Sequence, residues 1–329
     1  MKILIYGPKD RYDTYMPDFA ADLPFETVFS SAVQPALQAA EENPDAEIVF
    51  ADAITPTTRE IMDALPRLKM IHSEGVAYNA IDVDAAREKG VFVCNNKGCN
   101  AVSVAEHTVM LMLMALRCGV TGHRAVLEGR QLQFKEQFMV SGARELGELD
   151  VGLIGLGDIG QATARRLRPF GCKLFYYTAH RRPPQAEEEL GVTYLPLEEL
   201  AAQCDILSLH CAVTSQTTHM VNAGFLSRIK PGAILVNTAR GQLVDNQAVR
   251  QALIDGRLGS IAIDTFDPEP TPADHPLVNL PPQAADRAIF SPHLGGNTSS
   301  SFRRAHWNMW NSAKLILEGK RPNFIVNGL

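Results

Sequence analysis

Short apolar runs, each bounded by Gly, Pro, Asn or Asp, alternate along the chain with longer stretches that carry helical spacing. In the first part the runs predict strands at Lys2–Tyr6, Glu47–Ala51, Lys69–His72 and Val91–Cys94, with helix formers between them, as in Asp82–Glu88. The pattern restarts in the middle. Strands are predicted at Asp150–Ile154, Lys173–Tyr177, Asp205–His210, Ala233–Asn237, Ser260–Asp264 and Ala288–Ser291. Strands that alternate with helices predict parallel sheets covered on both faces. Six strands complete a doubly wound sheet, so the second half reads as a Rossmann-type domain and the first as a smaller α/β domain. Ser299–Leu317 reads as one helix, with Phe302, Trp307, Trp310, Ala313 and Leu315 as apolar contacts and a capping start at Thr298–Ser301. Its return to the first domain would make that domain discontinuous, which periodicity alone does not decide.

Composition narrows the class. The 329 residues give room for two domains, and 46% hydrophobic with 21% charged residues excludes a disordered chain. With 31 Lys and Arg against 37 Asp and Glu, the net charge of −6 argues against binding to a nucleic-acid backbone. Six cysteines at 94, 99, 118, 172, 204 and 211 are scattered, which fits free thiols in a reducing compartment. They form no CxxC and no zinc spacing, so no metal is expected. The start, MKILIYG, runs straight into a strand and lacks a signal-peptide pattern. The most apolar segment, Val109–Leu116, is too short to span a bilayer and is flanked by Glu106, His107 and Arg117. A buried helix and a cytoplasmic protein with no membrane partner are the expectations. The methionines of 110–114 are expected in the core or a dimer contact.

The sharpest motif is Gly155-Leu156-Gly157-Asp158-Ile159-Gly160. It follows the strand Val151–Ile154 and opens a helix running to about Phe170, the context that a dinucleotide site requires. Gly155 permits the turn, Gly157 lets the backbone approach a pyrophosphate, and Gly160 lets helix and strand pack closely. The helix N-terminus supplies N–H donors and partial positive charge. A glycine-rich turn that binds nothing is the bland alternative. A kinase loop is excluded because no HRD or DFG sequence follows. The next strand leads into Thr178-Ala179-His180-Arg181-Arg182. NAD enzymes place an acid near this strand end to hold the ribose 2′-OH. Here Ala179 stands there, followed by three groups able to carry positive charge. Arg binds the 2′-phosphate of NADP through charge-assisted hydrogen bonds, so the balance favours NADP over NAD. A solvated surface pair is the alternative reading of Arg181 and Arg182.

Three polar residues follow the carboxyl ends of later strands, the usual ligand crevice of an open α/β sheet. They are Arg240 in Asn237-Thr238-Ala239-Arg240-Gly241, Glu269 in Asp267-Pro268-Glu269-Pro270, and His293 in Ser291-Pro292-His293-Leu294-Gly295-Gly296. Taken singly, each has an ordinary reading: a surface ion pair, a loop acid, a structural hydrogen-bonder. His72 and His210, at strand ends, read as structural or cofactor-adjacent, and His107 as a packing or hydrogen-bonding residue.

Several ordered motifs together resemble the D-isomer-specific 2-hydroxyacid dehydrogenase family over nearly the whole chain. They are Ser73-Glu74-Gly75-Val76 with Asn79-Ala80-Ile81-Asp82, Val102–His107, the glycine motif, Asn237–Asp245, the Glu-Pro pair and His-Leu-Gly-Gly. The resemblance implies two Rossmann-like doubly wound domains with a cleft between them, the first discontinuous. A substrate-binding domain would comprise 1–100 and 297–329, and a dinucleotide-binding domain 101–296. It implies a homodimer built through the coenzyme domain, and a small 2-oxo or 2-hydroxy acid as substrate. By resemblance His293 is the acid/base, a role that suits imidazole near neutral pH. Glu269 is its partner, since a carboxylate favours the imidazolium and orients the ring. Arg240 grips the oxo acid with its planar fork and polarises the carbonyl. Gly75 and Val76 offer backbone N–H groups to the substrate carboxylate, and Asp264 holds the nicotinamide ring. The coenzyme would meet Gly155, Gly157, Asp158, Ile159, Gly160, His180, Arg181, Arg182, Cys211, Thr238, Ala239, Asp264 and Gly295.

Two places depart from the family pattern. Ala212 stands where proline is common after His210, and Glu74 places an acid beside the carboxylate cradle. Glu74 would disfavour a highly anionic substrate if it faced the cleft and mean nothing if it pointed away. The expected activity is reversible reduction of a glyoxylate-, hydroxypyruvate- or pyruvate-like 2-oxo acid, or of a bulkier aryl or branched one. A D-3-phosphoglycerate dehydrogenase is disfavoured because the chain ends at Leu329 with no appended domain expected and no extra basic cluster in the first domain. A dinucleotide-sensing corepressor or scaffold of the same fold is the alternative from another class. Oxidation of formate or phosphite is a third, against which stands Glu269, where formate-specific members usually carry Gln.

Overall fold

The computed structural model describes residues 1–30, 35–52 and 55–329. They form two compact units, Met1–Asn100 with Asn297–Leu329, and Ala101–Gly296.

The first unit holds a parallel sheet of β1 (Lys2–Tyr6), β2 (Glu26–Ser30), β3 (Ile48–Ala51), β4 (Met70–Ser73) and β5 (Phe92–Cys94), in the order β2-β1-β3-β4-β5. β3 is buried throughout and reads as an unbroken apolar run, and β4, equally buried, ends on the polar pair His72 and Ser73. β2 is a correction to the predicted set. It is an edge strand that opens on exposed Glu26 and Thr27, so its apolar signal is too short to register. The helix Ser299–Leu317 starts at Thr298, whose hydroxyl accepts the Ser301 N–H at 3.2 Å. Its Met309, Trp310, Ala313 and Ile316 pack in one cluster with Ile3, Ile5, Ile48, Phe50 and Met70 of the sheet. Trp307, expected among the apolar contacts, is instead half-exposed and meets Phe19 edge-on.

The second unit holds seven parallel strands: β6 (Asp150–Ile154), β7 (Lys173–Tyr177), β8 (Val192–Tyr194), β9 (Ile206–Leu209), β10 (Ala233–Asn237), β11 (Leu258–Ile263) and β12 (Ala288–Phe290). Their order is β12-β11-β10-β9-β6-β7-β8. The chain runs outward from β6 to β8, then returns to β9 on the other side of β6. That reversal is a topological switch point, and ligands of such sheets bind outside the carboxyl ends of the strands beside it. The predicted count of six is corrected to seven. β8 has only three residues with Thr193 in the middle, too short for an apolar run. The helix Ala101–Leu116 carries the greasy segment. Its Val109, Leu111, Met112 and Ala115 join the core with Val151, Leu153 and Val236, while Met110 is exposed. Among the described residues no single helix is long and apolar enough to cross a membrane.

Candidate active site

The turn after β6 shows why its glycines are needed. Gly155 has φ of 106°, and a Cβ there would stand 2.6 Å from the His210 backbone. A Cβ on Gly160 would strike the Gly155 carbonyl oxygen. These two positions therefore seat the helix Asp158–Leu167 against the strand ends. Gly157 differs: a Cβ there meets nothing within 4 Å. It is the N-cap of that helix and makes no side-chain cap, so the N–H groups of the first turn, at Asp158 and Ile159, front open space. That cradle fits the diphosphate of a dinucleotide.

Past β7, the two arginines have different surroundings. Glu187 takes Arg181 in a two-pronged ion pair, Nε to Oε1 and Nη2 to Oε2, both 2.8 Å. Hydrogen bonds from Arg181 and the Tyr176 hydroxyl hold the Glu187 carboxyl down at about 2. Arg182 instead donates from Nη2 to the Leu156 carbonyl in the glycine turn at 2.8 Å. Ala179 and His180 are exposed. Cys211 is partly buried against Met220, and burial pushes its thiol up to about 11, so it is a packing residue rather than a thiolate. His210 bonds Ser208 at 2.9 Å, and burial lowers its pKa to about 4.

At the end of β10 the Asn237 side chain ties off the following turn. Its Nδ2 donates to the Arg240 carbonyl at 2.9 Å, and its Oδ1 accepts the Ala239 N–H at 3.0 Å. Thr238 meets Thr108 hydroxyl to hydroxyl at 2.8 Å. A Cβ on Gly241 would fall on the Phe266 carbonyl and the Asp267 nitrogen, so only glycine lets this turn lie against the Glu269 loop. Burial lowers the pKa of Arg240, and the Glu269 charge opposes that shift.

Glu269 lies between two cis X-Pro bonds. Its Oε1 accepts the Phe266 N–H at 2.7 Å and its Oε2 meets His293 Nδ1 at 2.8 Å. His293 sits in the left-handed region, φ 55°, with its N–H on the Asp264 carbonyl at 2.9 Å. The Asp264 side chain anchors the same loop. It accepts the Ser291 hydroxyl at 2.5 Å and the Leu294 and Gly295 N–H groups at 2.9 Å each, and His107 Nε2 lies 3.3 Å away. These donors outweigh desolvation and bring its carboxyl down to about 2. Beside the His293–Glu269 pair lies a cavity of about 630 Å³ lined by Phe266, Pro270, Val278 and Phe290 among others.

Gly75 and Val76 belong to the first unit, in a loop after β4 that is pinned by side chains. Asn95 donates to the Val76 carbonyl at 2.8 Å, Asn96 to those of Ser73 and Glu74 at 3.1 and 3.0 Å, and the Gly75 N–H rests on the Ser73 hydroxyl at 3.2 Å. Glu74 is buried, gripped by Arg11 at 2.8 and 2.5 Å and by His306 Nε2 at 3.0 Å. Its charge is spent inside the unit.

Arg240, Glu269 and His293 thus lie together in the second unit, while Asp264 acts on the His293 loop. The sequence reading missed Asn237, Ser291, Tyr176 and Glu187 as members of these networks. Ser291, two residues before His293, carried a weak positional signal. Glu187, within a run of three glutamates, carried none.

Comparison with known proteins gives the family. The family model described as "D-isomer specific 2-hydroxyacid dehydrogenase, NAD binding domain" matches residues 109–295. A glyoxylate reductase of Korarchaeum cryptofilum (strain OPF8) is 33% identical over 283 residues, which is 86% of this chain and 83% of that one. A formate dehydrogenase of Pseudomonas sp. (strain 101) is 35% identical over 287 residues, 86% and 70% of the two chains. The solved apo structure of Rhodotorula graminis D-mandelate dehydrogenase matches with a TM-score of 0.87 at 25% identity, covering 99% of this chain and 97% of that one. With more than half of the chain inside the family model and a relative one-third identical across most of both chains, the protein belongs to the D-isomer specific 2-hydroxyacid dehydrogenases, oxidoreductases that use a nicotinamide dinucleotide.

Proposed function

We propose that this enzyme reversibly reduces a small 2-oxo acid to the D-2-hydroxy acid, acting on a glyoxylate- or hydroxypyruvate-like substrate. The observation that carries this reading is the 2.8 Å contact between His293 Nδ1 and the Glu269 carboxylate, whose other oxygen is fixed by the Phe266 N–H. The likeness to glyoxylate reductases supports the substrate class. When bound, the coenzyme supplies the hydride for reduction and accepts it in reverse. Glu269 occupies Nδ1 of His293, so the proton moves at Nε2: out to the carbonyl oxygen on reduction, back from the hydroxyl on oxidation. Arg240 stays charged and holds the oxo acid while drawing electron density toward its oxygen. The Val76 N–H is the proposed carboxylate ligand, and the Gly75 N–H, expected beside it, is held by the Ser73 hydroxyl at 3.2 Å. Asp264, with its oxygens engaged by the 291–295 loop, supports His293 in place.

NADP is the proposed coenzyme, read by Arg182 and His180 where Ala179 leaves no acid to repel a phosphate. The proposed homodimer forms through the second unit. There Leu127, Leu132, Met139 and Val140 are all at least 70% exposed on two neighbouring helices, and the helix Gln131–Ser141 buries no residue. Such a helix is marginal by itself, and such a patch marks a protein interface. A cytoplasmic setting fits the scattered free thiols.

The test is a panel of 2-oxo acids assayed with NADPH and NADH, with His293→Ala as control. Turnover of glyoxylate or hydroxypyruvate that His293→Ala abolishes, with coenzyme binding retained, supports the reading. A wild type that binds coenzyme and reduces no 2-oxo acid overturns it in favour of a dinucleotide-sensing scaffold.

A further inference from the structure

We propose that Tyr176, Glu187 and Arg181 form a latch that positions Arg182 as the one arginine reading the ribose 2′ substituent of the coenzyme. This rests on the NADP reading above and assigns the neighbouring residues that make it work.

The two arginines are adjacent in sequence and chemically unlike in the fold. Arg181 is committed. Its guanidinium is held by both oxygens of Glu187, a carboxylate buried in the helix Pro184–Leu190, and lies over the Tyr194 ring at 5.4 Å. A phosphate could recruit Arg181 only by breaking both of its bonds to Glu187, whereas Arg182 has no carboxylate to give up. Arg182 is held in two weaker ways. Its backbone N–H donates to the Tyr176 hydroxyl at 2.9 Å, and its guanidinium donates to the neutral Leu156 carbonyl at 2.8 Å. A phosphate outcompetes a carbonyl for guanidinium, because a charge-assisted bond is about twice as strong as a neutral one.

Tyr176 joins the two halves. It is fully buried, donates its hydroxyl proton to Glu187 Oε1 at 2.6 Å, and accepts from Arg182 on the same oxygen. Glu187 thus fixes the direction of the Tyr176 O–H, and the lone pairs left over fix the Arg182 backbone. The chain just before it is closed by the Thr178 hydroxyl on the His180 carbonyl at 2.7 Å. Arg182 consequently leaves the strand end pointed at the glycine turn.

The test is calorimetric titration of the full-length protein with 2′,5′-ADP and with 5′-AMP, which share the adenosine and differ at the 2′ position. Arg182→Gln should weaken 2′,5′-ADP by about tenfold or more and leave 5′-AMP within about twofold. Tyr176→Phe, which removes one oxygen from the latch, should weaken 2′,5′-ADP by about three- to tenfold with 5′-AMP unchanged. Glu187→Gln should follow Tyr176→Phe, and stands in for it if that variant fails to fold. A purely structural tyrosine would weaken both ligands alike, and that result, or no change in either, overturns the latch. A larger loss for Arg181→Gln than for Arg182→Gln also overturns it. A wild type that binds 2′,5′-ADP no better than 5′-AMP overturns the NADP reading itself, whatever the variants do.

Discussion

Glu269 holds His293 with one oxygen and the Phe266 N–H with the other, at 2.8 and 2.7 Å, so the carboxylate cannot turn without losing a bond. This makes Glu269→Gln informative. The Phe266 N–H demands the amide oxygen, which presents the NH2 to His293 Nδ1 and forces that nitrogen to accept. An imidazolium, with protons on both nitrogens, no longer fits. Turnover should fall about 100-fold in both directions, with melting temperature and coenzyme affinity little changed. Steady-state kinetics of the reduction and the oxidation check this.

Gly157→Val separates fold from coenzyme. A Cβ at Gly157 meets nothing within 4 Å and the backbone there is ordinary, φ −77°. Stability should stay within about 0.5 kcal/mol of the wild type. The new side chain fills the space before the helix N-terminus, so coenzyme affinity should fall by about tenfold or more. A matched pair of urea titration and coenzyme titration reads both.

Gly241→Ala should do the reverse of Gly157→Val. Its methyl group collides with backbone at Phe266 and Asp267, which cannot yield as a side chain can. The predicted loss is about 1–3 kcal/mol of stability. Turnover should suffer as well, because the collision pushes the Arg240 turn away from the Glu269 loop. Unchanged kcat/KM in a variant of lowered Tm would show that the Arg240–Glu269 approach is not needed.

Acid sensitivity should come in two stages. His72 and His210 are held neutral, with burial lowering each from 6.5 to about 4. A depressed pKa favours the folded state above the unfolded value, and that advantage drains away as the pH falls from 6.5 toward 4. Unfolding should therefore take up about two protons near pH 5, and about one in His210→Gln. Asp264 adds a lower stage. Its carboxyl falls from 3.8 to about 2, so its contribution is present above pH 4 and is lost between 4 and 2. The pH dependence of unfolding free energies from urea titrations between pH 8 and pH 2 gives the proton uptake.

The strands buried on both faces were legible because nothing polar interrupts them: β1 was predicted as Lys2–Tyr6 and β10 as Ala233–Asn237, and both run there. β2 and β8 were not, since β2 opens on two exposed polar residues and β8 has three residues with an exposed threonine in the middle. The glycine turn was legible for a similar reason. Only glycine tolerates φ of 106° against the His210 backbone, so the constraint is written in the residue type.

The candidate residues could be picked out from the amino-acid order, because Arg240, Glu269 and His293 each follow a strand end and strand ends of a doubly wound sheet converge on one edge. Their working state was not. Whether an arginine is available or spoken for depends on a carboxylate on another element, six residues on for Arg181 and Glu187 and 63 residues on for Arg11 and Glu74. Local composition determines which element forms and where it ends, since those forces act within a few residues. Pairing of charges in the folded interior depends on side chains meeting through space, and only the tertiary structure brings them together.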